Sequence, residues 1–167
     1  VLVVAMSEDP EQVRLDPFGK VLCKIDLNPG DDKLRAQLTR SADVIGRILA
    51  GRELARTGRR GNIDAIAAAY AQESFWGVRL QWAEALGRAG VQAAVDALAV
   101  LLAAERDPCV LEGLIRAAGR YRDPAVRRTI ETRLDLGLPP RAAMAAYEAL
   151  GGQRDAAPYA RLVEASE

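Results

Sequence analysis

The side chains that could carry chemistry here are carboxylates, arginines and two cysteines, because the 167 residues include no histidine. Without histidine the chain cannot form an HExxH zinc motif, a Ser-His-Asp triad or a Cys-His pair. Cys23 and Cys109 lie far apart and outside any CxxC spacing, which argues against a disulfide framework and indicates a reducing compartment. We therefore predict no catalytic, cofactor-binding or metal-binding residue in this chain.

Acidic pairs are the remaining candidates for general acid–base catalysis. Both of them, Glu8-Asp9 and Asp31-Asp32, adjoin predicted turns or helix starts. Carboxylates are favourable at the positive end of a helix dipole, so capping and solvation are the simpler interpretation. Four arginines between two predicted helices form a basic cluster. Glu53 lies among them and reduces the net positive charge of the cluster, which indicates a solvated corner rather than a phosphate site. The cluster comprises Arg52, Arg56, Arg59 and Arg60.

Composition and charge narrow the class of protein. The 23 basic and 23 acidic residues cancel, so the total favours neither nucleic acid nor an anionic membrane surface. No apolar run approaches the roughly 20 residues of a membrane span. Apolar residues make up 50% of the chain and aromatic residues only 5%, which favours close-packed helices. We expect a cytoplasmic protein with one domain and a small appendage.

The first 30 residues have strand character. Asp16-Pro17-Phe18-Gly19 has type I turn chemistry and joins two of the strands as a hairpin. So few strands cannot bury both faces; they either pack on the first helices or, as we favour, end an incomplete β-sandwich domain over residues 1–30. The chain opens on Val1 with no methionine and no signal-peptide pattern, so we expect a fragment. The predicted strands cover residues 1–5, 12–15 and 20–27.

Helical periodicity begins after Gly30 and repeats every 32 residues. Small residues recur at this step near helix ends, in Leu54-Ala55-Arg56, Leu86-Gly87-Arg88, Ala118-Gly119-Arg120 and Leu150-Gly151-Gly152. An independent apolar register has the same step, at Ile66, Leu98, Ile130 and Leu162. Each unit therefore holds two helices, and the first ends near a glycine that suits a left-handed C-cap. The predicted helices cover residues 31–39, 43–56, 62–72, 76–88, 91–104, 108–121, 124–135, 139–150 and 155–164.

The units resemble HEAT-like repeats, whose second helix commonly reads as an apolar residue and Arg, followed later by Ala-x-x-Leu-Gly. Val78-Arg79 with Ala83 and Leu86-Gly87 fits this pattern best, whereas Leu111 stands where the next unit should have Arg. The resemblance implies a mainly α fold. We predict an α-α superhelix of the HEAT/armadillo type with about four two-helix repeats over residues 31–167, preceded by the short β-hairpin segment.

A narrower resemblance spans the junction of the two parts. The motifs that carry it are Val13-Arg14-Leu15-Asp16-Pro17, Val21-Leu22 with Lys24 and Asp26, Asp43-Val44-Ile45-Gly46-Arg47, and Phe75-Trp76. They are similar to bacterial M1-family zinc aminopeptidases, in which the end of a β-sandwich leads into a C-terminal helical repeat domain. The resemblance implies that the catalytic zinc lies in a preceding domain and that this chain carries no cofactor. None of the family's catalytic residues can be carried over to this chain.

This resemblance implies a non-catalytic domain that helps enclose the active-site chamber and supports the β domain. Its partners would be the other domains of the same polypeptide, with a peptide substrate contact possible at an unplaced position. A free-standing HEAT-like adaptor for a protein partner is the alternative. A DNA-repair glycosylase of HEAT-like fold would use Trp76, Trp82 and Tyr121 for stacking on bases. Trp82, however, lies in the apolar phase of its helix, and the chain has no basic stripe. We expect neither nucleic acid nor a membrane as partner.

Overall fold

The computed structural model describes residues 8–14, 16, 20, 27 and 29–152. Within this part of the chain, eight α-helices follow one another and no strand is present. Their ends agree with the first eight predicted helices to within three residues. Each described helix falls short of the length and apolarity that a bilayer crossing requires. The helices are α1 (Asp31–Arg40), α2 (Val44–Arg56), α3 (Arg60–Gln72), α4 (Trp76–Arg88), α5 (Gln92–Ala104), α6 (Pro108–Ala118), α7 (Pro124–Asp135) and α8 (Pro140–Gly151).

The predicted β-hairpin falls largely outside the described residues. Residues 12–14 are described and are not in a strand. The predicted strands over 1–5 and 20–27, most of the turn between them, and the predicted ninth helix over 155–164 lie almost entirely in the parts of the chain that the structure does not describe.

The helices form two layers. The even-numbered helices pack side by side in one layer, and the odd-numbered helices pack side by side in the other. Apart from α6 and α7, each helix also packs on the next one along the chain, so the units stack as a one-dimensional array. This arrangement confirms the predicted all-α solenoid.

The core follows the apolar register that the sequence predicts. Ile66, Leu98 and Ile130 in the odd layer are fully buried. Val78 and Val110 occupy the facing positions of the even layer and are also fully buried. Because a single helix pair cannot cover these stripes, each unit depends on its neighbours for burial.

Glycines near the ends of the even helices permit close packing. A β-carbon on Gly87 would lie 2.9 Å from that of Ala117, and one on Gly119 would lie 2.5 Å from that of Ala149. The prediction of left-handed C-caps at these glycines was wrong: Gly87 lies within α4, and Gly119 has φ −62°. The repeated glycine faces a neighbouring helix, and the chain reverses later, as at Gly90 with φ +69°.

An aspartate followed by a proline marks the start of both α6 and α7. Asp107 and Asp123 precede Pro108 and Pro124, which occupy the first helical turn. The Asp107 carboxylate accepts a hydrogen bond of 2.9 Å from the Cys109 backbone N–H, and Asp123 accepts one of 2.8 Å from that of Ala125. These contacts confirm the predicted Asp-Pro helix starts.

Candidate functional site

Arginines and carboxylates connect successive units where odd helices end and even helices begin. Ser41, Glu73 and Glu105 follow α1, α3 and α5, and Arg47 and Arg79 lie near the starts of α2 and α4. Arg47 donates to the Ser41 carbonyl at 3.0 Å and to the Glu73 carboxylate at 2.7 Å. Arg79 donates to the Glu73 carbonyl at 3.0 Å, and its Nε lies 3.3 Å from Glu105 Oε2. We call these five residues the arginine ladder; each arginine joins the helix end of one unit to the carboxylate of the next.

Glu105 is the most heavily bonded carboxylate of the arginine ladder. Its oxygens accept from the Tyr70 hydroxyl at 2.6 Å and from the backbone N–H groups of Arg106 and Asp107 at 2.9 Å each. Burial acts to raise the pKa of Glu105, but the hydrogen bonds from Tyr70 and the backbone, together with the charge of Arg79, lower it overall. Burial, followed by the hydrogen bond to Glu105, raises the pKa of Tyr70. Since the two pKa values move apart, this pair is a fixed structural contact rather than a proton-transfer pair.

The sequence analysis missed the arginine ladder, although a signal was present. Arg47 and Arg79 are 32 residues apart, and so are Glu73 and Glu105. A search for charged residues at the repeat period would have found both pairs. Such a search could not show that Arg47, on α2, contacts Glu73, which follows α3.

The segment before α1 docks on the first unit through ion pairs. Arg14 forms a two-pronged pair with Asp43, whose second contact, from Nη2 to Oδ1, is 3.1 Å. Asp43 also caps α2 by accepting from the Gly46 backbone N–H at 2.7 Å. The Arg14 guanidinium, outweighing the opposing effect of burial, holds the pKa of Asp43 at about 2. Arg40 adds a contact of 2.8 Å to Glu11.

Arg14 occupies the place that an arginine of a preceding unit would take. Further along the stack, Arg79 reaches the helix-capping carboxylate of Asp107 at 2.9 Å, with nearly the same separation along the chain. Arg14 makes the same kind of contact with Asp43, the helix cap of α2. Residues 8–14 are therefore held on the first unit by a kind of contact that also joins later units.

Three of the four residues in the predicted acidic pairs, Asp9, Asp31 and Asp32, line an open cleft of about 430 Å³ beside α1. Asp9 forms an ion pair with Lys33, and Asp31 accepts hydrogen bonds from Asn62 at 2.9 Å and Arg59 at 2.7 Å. The hydrogen bond from Asn62 is the main cause that lowers the pKa of Asp31. A general acid needs a raised pKa, so Asp31 is a structural partner. It lies in the first turn of α1, but its hydrogen bonds go to side chains of the next unit, and α1 has no side-chain cap.

The predicted arginine cluster does not form one site. Arg59 pairs with Asp31 at 2.7 Å, and Arg56 pairs with Glu53 at 2.9 Å. Both arginines are largely exposed, which agrees with a solvated corner.

Exposed apolar side chains cluster on the first two even helices. Ile45 and Leu49 lie one turn apart on α2, and Phe75 and Trp76 lie at the start of the neighbouring α4. We call these four residues the apolar patch; each is between 41% and 55% exposed. The Glu73 carboxylate, held by the arginine ladder, accepts from the Phe75 backbone N–H at 2.9 Å. Exposed apolar clusters of this kind are typical of protein interaction surfaces.

The aromatic residues considered for base stacking have different environments. Trp82 is buried, and its indole N–H donates to the Arg47 carbonyl at 3.0 Å, which confirms its place in the core. The Tyr121 hydroxyl donates to the Leu86 carbonyl at 2.7 Å and accepts from the Gly90 backbone N–H at 3.0 Å. Only Trp76 of the three presents its ring to solvent. The structure therefore assembles no row of stacking aromatics from these residues.

Comparison with known proteins agrees with this geometry. The family model described as HEAT repeats matches residues 32–117, just over half of the chain and most of α1 to α6. No curated protein matches the sequence. Two-helix units with a 32-residue step, two helix layers and a shared core are what such repeats form. The chain belongs to the HEAT repeat family.

Proposed function

We propose that this chain is the non-catalytic HEAT-repeat domain of an M1-type zinc aminopeptidase. In this role it supports a preceding β domain and helps enclose the chamber in which peptides are cleaved. The observation that carries the proposal is the docking of the segment before α1, in which Arg14 pairs with the cap of α2, Asp43. Both residues lie within the motifs by which this junction resembles that enzyme family.

The contacts of the first unit support a fixed connection between the preceding domain and the stack. Three ion pairs join residues 8–14 to α1 and to the cap of α2. A bidentate arginine–carboxylate pair has defined geometry, so it orients the segment as well as holding it. The arginine ladder then links this end of the stack to the units that follow.

Zinc chemistry, on this proposal, belongs to a domain outside this sequence. Without histidine the chain does not fit the zinc site of that family. Among the residues that the structure describes, no group of three carboxylates and cysteines could hold a metal ion. A cytoplasmic location is part of the proposal and is supported by Cys109, which is exposed and unpaired.

Sequencing the gene upstream of Val1 tests the parentage directly. We expect a coding stretch with an HExxH motif and a downstream glutamate, and a longer protein that contains zinc and releases N-terminal residues from peptides. A start codon at Val1, or an upstream stretch without that motif, would refute the proposal. In the longer enzyme, Arg14→Ala should loosen the junction and increase hydrogen exchange at the start of α2. Arg88→Ala is the matched control, since Arg88 is exposed and pairs with Glu84 on its own helix, α4.

A free-standing adaptor is the second candidate, and the apolar patch favours it. Leu49 and Trp76 are 45% exposed each, on adjacent helices of the same layer. In an adaptor this surface would bind a separate protein, whereas in the parent enzyme a neighbouring domain would cover it. Hydrogen exchange distinguishes the two: protection of α2 and the start of α4 that appears only when the upstream domains are on the same chain favours the enzyme.

A further inference from the structure

Two arginines converge on the carbonyl group at the end of α5. Arg106 Nη1 and Arg133 Nη2 both donate to the Glu105 carbonyl oxygen, at 3.1 and 3.0 Å. Within the described part of the chain, Arg106, Arg133 and Arg128 form no direct ion pair with a carboxylate, although the charge of Glu105 acts on Arg133 and that of Asp123 acts on Arg128. The Glu105 carboxylate is already bonded to Tyr70, Arg79 and the backbone. Like charges brought together in this way raise each other's energy unless an anion is present.

Arg133 is buried yet incompletely bonded. It is only 8% exposed, and its Nε is buried without a hydrogen-bond partner. An unsatisfied buried donor on a charged group is costly, so such a group commonly has a role beyond folding. Burial and the nearby charge of Arg106 lower the pKa of Arg133, and the charge of Glu105 opposes them in part.

An open cleft of about 390 Å³ lies between α5 and α7, beside these arginines. Arg128 and Arg133 line it, Ala103 and Leu136 form apolar walls, and no carboxylate is among its lining residues. The hydroxyls of Thr129 and Thr132, which also line it, donate to backbone carbonyls at 2.9 and 2.8 Å. The two guanidinium groups are therefore the hydrogen-bond donors available to a ligand.

The repeat does not require an arginine at this position. The corresponding residues of the two preceding units are Ala69 and Leu101, and both are buried. Leu111 stands where the arginine ladder would continue, so Arg133 takes over the contact with the Glu105 carbonyl. This contact uses one Nη group of Arg133 and leaves its Nε without a hydrogen-bond partner.

We propose that the α5–α7 cleft binds an oxyanion, a carboxylate or phosphate group, through Arg133 and Arg128. Guanidinium groups bind both anions through paired N–H donors. The apolar walls leave room beside the charged groups for the carbon atoms of a larger ligand. This site is independent of the proposed aminopeptidase parentage and could be tested without it.

Nuclear magnetic resonance of the arginine Nε–Hε groups in the full chain tests the site. Sodium phosphate is titrated at constant ionic strength, and a blocked tripeptide with one central glutamate is titrated separately. We expect a saturable shift of the Arg133 Nε–Hε signal; the ligand that binds more tightly identifies the source of the oxyanion. Arg128→Gln should weaken binding about ten-fold, and Arg133→Leu, which introduces the residue found at Leu101, should abolish it.

Arg141→Gln is the matched control, because Arg141 is an exposed arginine on α8 outside the cleft. Equal weakening by Arg128→Gln and Arg141→Gln would show general charge attraction and overturn the proposal. Absence of a saturable shift with either ligand would also overturn it. If Arg133→Leu fails to fold, the Arg128→Gln and wild-type titrations still decide the question.

Discussion

Removing the Glu105 carboxylate should destabilise the fold more than any surface charge change. The Glu105 side chain is 7% exposed and is the last carboxylate of the arginine ladder. Glu105→Ala would leave the Arg79 guanidinium without its buried partner, and the Tyr70 hydroxyl without its acceptor. Breaking a buried ion pair by removing one partner costs about 3–5 kcal/mol. Because Asp107 remains 2.9 Å from Arg79, we expect the loss to lie near about 3 kcal/mol.

Urea unfolding followed by circular dichroism measures this loss. Glu53→Ala is the matched control, because Glu53 pairs with Arg56 on the surface and such pairs contribute at most about 1 kcal/mol. Losses that are equal for Glu105→Ala and Glu53→Ala, or a loss below about 1 kcal/mol for Glu105→Ala, would refute the reasoning. A double-mutant cycle with Tyr70→Phe then isolates the hydrogen bond between Tyr70 and Glu105.

The same carboxylate should contribute to acid sensitivity. The pKa of Glu105 in the fold lies below the ordinary value of 4.5. The folded state therefore binds this proton less readily than the unfolded chain does. The stabilisation that the ionised Glu105 carboxylate contributes is complete above pH 4.5 and is lost as the pH falls through its lower, folded pKa. Glu105→Gln should be less stable than the wild type at neutral pH, and the difference should shrink in acid.

Further substitutions test the packing and the junction. Gly51→Ala should lower the free energy of unfolding by about 1–3 kcal/mol, because the added β-carbon would lie 2.2 Å from Trp82 Nε1. Gly61→Ala is the control in the same urea unfolding experiment and should be tolerated, since the atom nearest to its β-carbon would be 3.5 Å away. Leu98→Ala should cost about 2–5 kcal/mol in urea unfolding, since Leu98 is fully buried. Asp43→Ala should cost about 1 kcal/mol, because Asp43 is 46% exposed and partly screened. With the pKa of Asp43 lowered from 3.8 to about 2, that difference should be present above pH 3.8 and vanish as the pH falls through 2; a constant difference would contradict the pairing with Arg14.

Local features explain why most of the fold could be predicted. Helix caps such as Asp107 and Asp123 bond to backbone groups two residues away, so their signal lies within one stretch of sequence. The apolar register predicts which side of each helix is buried, since burial depends on helical phase. The glycine prediction failed because the role of Gly119 is set by Ala149 on another helix, and its own sequence neighbours do not reveal that contact.

The sequence by itself determined the repeat, the helix boundaries and the absence of histidine chemistry, because period and residue type are properties of the chain alone. Only the tertiary structure showed that Arg14 reaches Asp43, that the arginine ladder joins the units, and that Arg106 and Arg133 converge on one carbonyl. These contacts between units join residues 26 to 29 positions apart, and stacking brings them together. Charged side chains take their roles from partners on other helices, so here the sequence specified the scaffold, and packing decided which charges are paired.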